Sequence, residues 1–425
     1  EYYFEDTGRT MTYVDLHGKI AYKPYFNAQC WSADSRKLYF QGKDYSIYEY
    51  SMDDETIRFI AEGRGNYGIV TTPQNKLIYS SKNGDIVEMD CDTYAKRIAG
   101  KLPEGQTNGG SQLTVSNDGK YLCVIWTDTM GGMENDDTLK NRRFPVLDME
   151  TGVWNTDNYF GFEDAPPYNT GMNPTYPNLI LFNHCATEGD TLDRNWVIDT
   201  NTGIATNRFK QKNYTSTLTG EVISHETWSY DGELLYIDKA ISSKIAMGGV
   251  MSFDKDGNNR RHINDDYSYL HLGVSPANPR FVVSDTGYGA HKKSDIVVVD
   301  CHSGKSYKLA TTNQTGDDSV AHSHPAFTPD GQKVYFGVYN GDYTSAGIGF
   351  IDVSDIVNQP DLMEIVELSD SCNAERYPGM KHEIKLTEKD GKAGYNIVNG
   401  NFMRVNYKGA EQANVKADIE ITYFA

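Results

Sequence analysis

Histidines are the side chains best suited to chemistry in this sequence, and they are unevenly placed. His322 and His324 form a His-Ser-His pair. Residues two apart on an extended strand point to the same side, so both imidazoles can reach one ion. His225 and His271 each lie just before a strand-like segment, and His184 follows one. Several imidazoles at one point can bind a transition metal and leave coordination positions open for water or substrate.

The position of these histidines recurs along the chain. His225, His271 and His322 each precede the turn of the following hairpin by 6 to 8 residues, which indicates a common phase in a repeat. A single histidine beside a strand is more often an ordinary polar surface residue. Because a hairpin does not itself require imidazole, the recurrence predicts that these side chains meet at one site.

A repeat of a turn followed by an apolar strand predicts the elements that position them. Seven copies are present, at Trp31–Phe40, Thr71–Ser80, Val115–Val124, Asn173–Phe182, Trp228–Ile237, Val274–Val283 and Phe327–Phe336. A second motif, an apolar strand ending in Asp and a short turn, alternates with them at 49–58, 87–96, 146–155, 197–206, 251–260, 298–307 and 349–358. Each pair of motifs makes a four-stranded antiparallel sheet. Radial stacking buries both faces of such sheets, so we predict an all-β fold, a seven-bladed β-propeller.

The repeat also predicts the domain boundaries. Residues 1–358 are expected to form the catalytic propeller, with polar loop insertions at 130–143 and 162–173. Residues 359–425 break the repeat but keep strand-like alternation. They are expected to form a short C-terminal β extension that either closes the ring or decorates it.

The histidine motifs resemble those of the oligogalacturonate lyases, polysaccharide lyase family 22. The resemblance rests on SHETWSYDGELLYI, YLHLGVSPANPRFVV, AHSHPAFTPDGQKVYF and FNHCATEGDTLDRNWVIDTNTG, and more weakly on AQCWSADSRKLYFQG. It covers most of residues 25–340 and implies a seven-bladed propeller, in agreement with the repeat count.

The resemblance also implies a metal site. It implies metal ligands at His271, His322 and His324, and a divalent cofactor, with Mn²⁺ first and Zn²⁺ or Ca²⁺ left open. The family's glutamine ligand corresponds here to Ser319, which would make a weak or water-mediated metal contact. That departure leaves the identity of the metal open.

The catalytic groups implied by the resemblance are His225 as base and Arg194 near the substrate. The implied reaction is a metal-assisted β-elimination at a uronate, the degradation chemistry of pectin fragments. The C5 proton of a uronate becomes acidic enough to remove when the adjacent carboxylate is neutralised. The ordinary pKa of histidine suits a base near neutral pH. His184 and Trp228 are weaker candidates for substrate contact, and Trp228 can equally belong to the core.

Charge narrows the partners. The 425 residues include 59 acidic and 40 basic side chains, a formal net charge of −19. This acidic balance argues against nucleic acid as a partner. The sequence contains no run of 18 apolar residues, so no membrane span is predicted. An acidic shell gives no long-range attraction for a uronate, so recognition has to rest on the metal and Arg194. An acidic oligosaccharide, short rather than polymeric, is the expected partner.

Several alternatives stay open at this point. The enzyme could act on another uronate glycan such as ulvan, or the chain could be a non-catalytic TolB-type binding propeller. The six cysteines show no paired spacing and are expected to be buried free thiols. The start at Glu1 leaves the compartment open between bacterial cytoplasm and periplasm, since a removed signal peptide would leave the same start. The oligomeric state is not predicted.

Overall fold

The protein divides into two compact units. The computed structural model describes residues 1–19, 25–42, 44–65, 68–102, 113–124, 144–155, 167–184, 193–211, 222–242, 245–286, 293–314, 323–340, 346–361, 384–389 and 392–397. The larger unit comprises residues 1–301 and 305–357, and the smaller one residues 302–304 and 358–425.

The regular secondary structure of the described residues is almost all β-strand. In chain order the strands are β1 (Tyr2–Phe4), β2 (Arg9–Asp15), β3 (Lys37–Gln41), β4 (Ile47–Ser51), β5 (Ile57–Ala61), β6 (Ile69–Thr72), β7 (Lys76–Ser80), β8 (Asp85–Asp90), β9 (Lys96–Lys101), β10 (Thr114–Val115), β11 (Tyr121–Cys123), β12 (Val146–Asp148), β13 (Trp154–Asn155), β14 (Pro167–Met172), β15 (Leu179–His184), β16 (Asn195–Asp199), β17 (Ile204–Phe209), β18 (Val222–Trp228), β19 (Leu234–Ser242), β20 (Ile245–Asp254), β21 (Arg261–Asn264), β22 (Tyr269–Val274), β23 (Phe281–Thr286), β24 (Lys293–Asp300), β25 (Lys305–Asn313), β26 (Ala326–Phe327), β27 (Lys333–Tyr339), β28 (Ala346–Asp352), β29 (Ile384–Lys389) and β30 (Lys392–Ile397). One short helix, α1 (Ser354–Val357), is present in this part of the chain.

Seven antiparallel sheets form the blades of a β-propeller, as the repeat predicts. Five blades are four-stranded meanders, β6 to β9, β10 to β13, β14 to β17, β18 to β21 and β22 to β25. The first blade contains β3, β4 and β5, and a bridge between Trp31 and Leu38 stands where its innermost strand would be. The seventh blade has the order β1-β2-β28-β27-β26.

The seventh blade joins the start of the propeller sequence to its end. β2 pairs antiparallel with β28, with Met11 opposite Ile351 and Val14 opposite Ile348. N-terminal residues therefore supply the outer strands of a blade whose inner strands come from the end of the repeat. The backbone groups on that edge of β28 are paired, which removes an exposed edge at this point.

The turns of the repeat are built by side chains that bond to the backbone. Asp118 accepts hydrogen bonds from the Ser116 hydroxyl at 2.6 Å and from the Lys120 amide at 3.1 Å. In the second motif, Asp148 accepts the amides of Glu150 and Thr151, both at 2.9 Å. Asp and Ser favour such turns because their short side chains satisfy neighbouring amides.

The apolar side chains between blades form the core. Ile78, Leu122 and Leu147 pack together at the junction of the second and third blades. Val283, Phe336 and Ile351 do so at the junction of the sixth and seventh. Full burial of such a side chain contributes about 1.5–3 kcal/mol relative to exposure, so each blade is stabilised mainly by its neighbours.

One expectation about loops is wrong in part. The segment 162–173 contains strand β14, which is the innermost strand of the fourth blade. Pro167 lies at the first residue of that strand, a position that does not need an amide donor for the ladder. The Pro and Gly residues of the segment predicted a loop, although part of it forms a strand. Residues 130–143 lie outside the described residues.

Other expectations concern the cysteines and the C-terminal segment. Cys30, Cys91, Cys123 and Cys301 are buried free thiols, as predicted, while Cys185 and Cys372 lie outside the described residues. In the smaller unit β29 and β30 form an antiparallel hairpin. The expectation that residues 359–425 close or decorate the ring stays a prediction. No helix in the described part of the chain is long and apolar enough to cross a membrane.

Candidate active site

The inner strands of three blades contain irregular pairing, and in two of them the irregularity includes a candidate histidine. In β18 the register shifts between Ser224 and Thr227, and in β22 it shifts between Tyr269 and Leu272. The same shift occurs in β14 between Pro167 and Thr170. Each is a β-bulge, in which two residues oppose one on the partner strand, and bulges commonly redirect side chains next to active sites.

The bulges correct one detail of the repeat phase. His225 is the first residue of its bulge, whereas His271 is the second, so the residue equivalent to His271 is Glu226. The spacing suggested a common position because β22 continues one residue further from its bulge to the turn than β18 does. The two histidines thus reach the same place from different positions of the bulge.

Three histidine rings converge. The ring centroids of His225 and His271 are 4.4 Å apart, and those of His271 and His324 are 4.3 Å apart. His225 and His271 lie in the inner strands of the fifth and sixth blades, and His324 lies two residues before β26, the inner strand of the seventh. His271 and His324 are almost fully buried, with 1% and 2% of their surface exposed. We call these three side chains the histidine cluster.

Two members of the histidine cluster have left-handed backbone conformations. The φ angle is +47° at His225 and +39° at His324. A side chain with a Cβ costs roughly 1–2 kcal/mol in this region, and such outliers concentrate at functional sites. The strain is therefore an independent indication that the backbone is arranged to direct these imidazoles.

A carboxylate fixes the orientation of His271. Both carboxylate oxygens of Asp285 lie 3.0 Å from Nδ1 of His271, and one of them also accepts the His271 backbone amide at 2.9 Å. Asp285 is fully buried, on β23 opposite the bulge. Because an ionised carboxylate only accepts hydrogen bonds, Nδ1 carries the proton and Nε2 keeps its lone pair. In the neutral ring Nε2 is then the nitrogen whose lone pair can bind an electrophile.

Arg194 lies in a second buried polar network. Its Nε donates to Oε1 of Glu226 at 2.6 Å, and its backbone amide donates to Oε1 of Gln211 at 2.7 Å. The other carboxylate oxygen of Glu226 accepts Nδ2 of Asn183 at 2.9 Å. Burial raises the pKa of Glu226, but the charge and the hydrogen bond of Arg194 lower it by a larger amount. The pKa of Glu226 therefore lies below its ordinary value. Glu226 is therefore ionised at neutral pH.

Two aromatic residues near the start of the chain cover the histidine cluster. The Phe26 ring lies 5.4 Å from His271 and 6.0 Å from His225, between ring centroids. The Tyr25 ring lies 4.7 Å from His324. Sequence reasoning missed both residues, and it also missed Asp285 and Glu226. Glu226 is adjacent to His225 in the sequence, so a search for acidic neighbours of the histidines could have found it.

Trp228 belongs to the packed interior. Its side chain is 6% exposed, and its indole NH donates to the Gly171 carbonyl at 3.0 Å. It also lines a central cavity of about 620 Å³, which Phe26 borders as well. Contact between Trp228 and substrate stays a prediction.

Three candidates cannot be located in full. His322 and Ser319 lie outside the described residues. His184 ends strand β15, and its side chain also lies outside the description.

The histidine cluster has donor chemistry that fits a divalent transition metal. His271 offers Nε2 and is held by a carboxylate, the usual arrangement behind a metal-ligating imidazole. The His324 ring lies beside it. Among the described residues no group of three His, Cys, Asp or Glu side chains is arranged to hold an ion. The residues present therefore fit a partial ligand set, for which the expected third histidine is His322.

Comparisons with known proteins agree with the resemblance read from the motifs. No family model matches the chain. An oligogalacturonide lyase from Pectobacterium atrosepticum is 25% identical over 379 residues, covering 78% of this chain and 90% of that protein. An oligogalacturonate lyase from Dickeya dadantii is 25% identical over 369 residues, with the same coverage. The predicted resemblance to these lyases is confirmed.

Solved structures support the fold. An oligogalacturonate lyase in complex with manganese has a TM-score of 0.70 at 19% identity, covering 83% of this chain and 95% of its own. An oligogalacturonate lyase from Vibrio parahaemolyticus has a TM-score of 0.69 at 18% identity, covering 83% of this chain and 96% of its own. At these identities the similarity is one of fold, the seven-bladed propeller.

Proposed function

We propose that the protein is a carbon–oxygen lyase that cleaves uronic-acid-containing oligosaccharides by β-elimination. Oligogalacturonides are the leading candidate for the substrate. The observation that carries the proposal is the convergence of His225, His271 and His324 from three different blades. The 25% identity to curated oligogalacturonate lyases supports the same substrate class. An acidic oligosaccharide is thus the proposed partner.

His225 is the proposed base. It removes the proton from C5, the electrons of that C–H bond form the C4=C5 double bond, and the bond between C4 and the glycosidic oxygen breaks. The departing oxygen takes up a proton, so the products are a 4,5-unsaturated uronate and a shorter oligosaccharide. Imidazole is the side-chain group that most often serves as a general base in enzymes. The left-handed backbone at His225 supports the role, since it is a strained conformation at a functional position.

Arg194 is the proposed partner of the substrate carboxylate. Charge develops on that carboxylate when the C5 proton leaves, and a guanidinium held in a buried network stabilises it without reorganising. Its partner Glu226 is almost fully buried, so the guanidinium is anchored from the protein side. His184 and Trp228 are proposed to contact the sugar.

A divalent cation, Mn²⁺ first, is the proposed cofactor, held by His271, His322 and His324, with Ser319 as a weak or water-mediated contact. When bound, it supplies positive charge that neutralises the carboxylate beside C5. Asp285 supports this assignment, because it holds a proton on Nδ1 of His271 and so leaves the lone pair of the neutral ring on Nε2. The structural neighbour solved with manganese supports the choice of metal.

The test is the ultraviolet absorbance of the unsaturated product. With Mn²⁺ supplied, the wild-type protein is expected to raise the absorbance of oligogalacturonides, and His225→Ala is expected to lose at least about a hundredfold in kcat, the contribution of a general base. His17→Ala is the matched control, since His17 lies exposed after β2. It is expected to keep wild-type kcat.

Other outcomes would redirect the proposal. An absorbance rise with ulvan oligomers but not with pectic ones would change the substrate. No rise on any uronate, together with unchanged sugar binding in His271→Ala, would refute the lyase and favour a non-catalytic binding propeller.

A further inference from the structure

The bulge in β18 places two different functions on adjacent residues. In a regular strand, neighbouring side chains point to opposite faces. At the bulge, His225 directs its ring to His271, while Glu226 bonds to Arg194. One local backbone irregularity therefore sets the position of the proposed base and of the group that holds the arginine.

Glu226 is built into this position by bonds on both oxygens. Oε1 accepts Nε of Arg194 and Oε2 accepts Nδ2 of Asn183. The side chain is 1% exposed, against 15% for Arg194. Glu226 is thus shielded from solvent, whereas its partner reaches the solvent-accessible side of the network. Such a geometry suits a residue that acts through the arginine rather than on a ligand.

We propose that Glu226 is a positioning residue that holds the Arg194 guanidinium where it binds the carboxylate of a uronate. The proposal rests on the proposed function for the identity of the ligand. Asn183 fixes Glu226 from the neighbouring blade, and the bulge fixes it relative to His225. The distance between base and carboxylate-binding group is therefore determined by the backbone of β18.

Simple charge compensation is the competing explanation. A buried arginine needs a nearby negative charge, and any carboxylate in the network would then serve. Two substitutions separate the explanations. Glu226→Gln keeps the length and shape but removes the charge, and Glu226→Asp keeps the charge but shortens the side chain. Positioning requires that both substitutions weaken function, whereas charge compensation requires that Glu226→Asp remain close to wild type.

The experiment measures binding in a background without turnover. In the His225→Ala protein with Mn²⁺, the affinity for trigalacturonate is measured by calorimetry with and without Glu226→Gln and Glu226→Asp. Each is expected to weaken binding roughly ten- to hundredfold, the scale of loss when a binding group is misplaced by about 1 Å. Asp300→Asn is the matched control, because Asp300 is paired to buried Arg280 at the far end of β24. It is expected to leave the affinity unchanged.

A double-mutant cycle tests whether Glu226 acts through Arg194. In the Arg194→Met background, Glu226→Gln is expected to change affinity by less than about twofold. Arg194→Met alone leaves a buried unpaired carboxylate, so Glu226→Gln is also expected to raise its thermal midpoint. If Arg194→Met does not fold, Arg194→Gln, which also removes the positive charge, replaces it in the cycle.

The outcomes separate this proposal from the proposed function. Equal losses in both backgrounds, or wild-type affinity for either Glu226 variant, would overturn the positioning role even if lyase activity is found. Binding that depends on Glu226 through Arg194, in a wild-type protein without lyase activity on any uronate, would support positioning and overturn the lyase. Absence of trigalacturonate binding would overturn both.

Discussion

At the scale of single residues, two buried carboxylates fix the orientation of functional side chains. Asp285 bonds to the ring and the backbone of His271, and Glu226 bonds to Arg194. In both cases a fully shielded acid fixes a group that is proposed to meet ligand. Charged hydrogen bonds of this kind are stronger than neutral ones and hold a side chain in one orientation.

Asp285→Asn is expected to weaken Mn²⁺ binding about ten- to hundredfold, because the loss of the carboxylate lowers the basicity of His271 and loosens its orientation. Calorimetric titration with Mn²⁺ measures this without substrate. Asp300→Asn, which removes a comparably buried acid elsewhere in the sixth blade, is expected to bind Mn²⁺ as the wild type does. Unchanged affinity in Asp285→Asn would remove the orienting role.

At the scale of the strands, β-bulges determine where the side chains of His225 and His271 point. The apolar alternation of β18 and β22 predicts strands but contains no signal for the two-versus-one pairing that directs His225 and His271. At His225, the first residue of its bulge, φ is also positive. The strand is therefore less stable locally than its composition suggests, and the imidazole is retained at that cost.

The strain at His225 gives a stability prediction. His225→Gly and His225→Ala both remove the ring, but only glycine adopts φ near +47° without a steric penalty. We expect the glycine variant to be more stable by about 1 kcal/mol, and both variants to lack activity. Urea unfolding measures the difference. An alanine variant as stable as the glycine variant would mean that the bulge relaxes once the ring is gone.

The whole molecule depends on the repetition of one turn design and on closure of the ring. Aspartates accept amides and hydroxyls in the turns of different blades, as Asp118 and Asp148 do in the third blade and Asp330 does in the seventh. The N-terminal strand β2 completes the seventh blade against β28. Because every blade buries its faces against two neighbours, loss of stability in one blade affects the ring as a whole.

Acid is expected to destabilise the molecule through these turns. Backbone hydrogen bonds lower the pKa of Asp148. Partial burial raises the pKa of Asp118, but hydrogen bonds from the Ser116 hydroxyl and the Lys120 amide lower it by more, so the pKa of Asp118 is also lowered. A lowered pKa in the folded state stabilises it above the ordinary value of 3.8, and the contribution is lost as the pH falls through that value toward the folded pKa. The free energy of unfolding should therefore decline below about pH 4.

Urea unfolding at a series of pH values measures this decline. Asp148→Asn should lower stability near neutral pH and make the decline shallower, since one of the titrating groups is gone. A free energy of unfolding that stays level from neutral pH to about pH 3 would contradict the role assigned to the turns.

The amino-acid sequence by itself determined the repeat, the propeller and the histidines of the site. Strand alternation, turn residues and the spacing of His225, His271 and His322 from their turns can be read from the sequence, because each depends on residues that are close together in the chain. Only the tertiary structure determined which residues contact the functional side chains, namely Asp285, Glu226, Tyr25 and Phe26. Tyr25 and Phe26 are about 200 residues or more from the rings that they cover, and no periodicity connects them. Bulge positions depend on pairing with the next strand, and ring closure depends on blades far apart in the chain. These contacts exist only once the blades are assembled, because only then do side chains from different blades come within hydrogen-bonding or van der Waals distance.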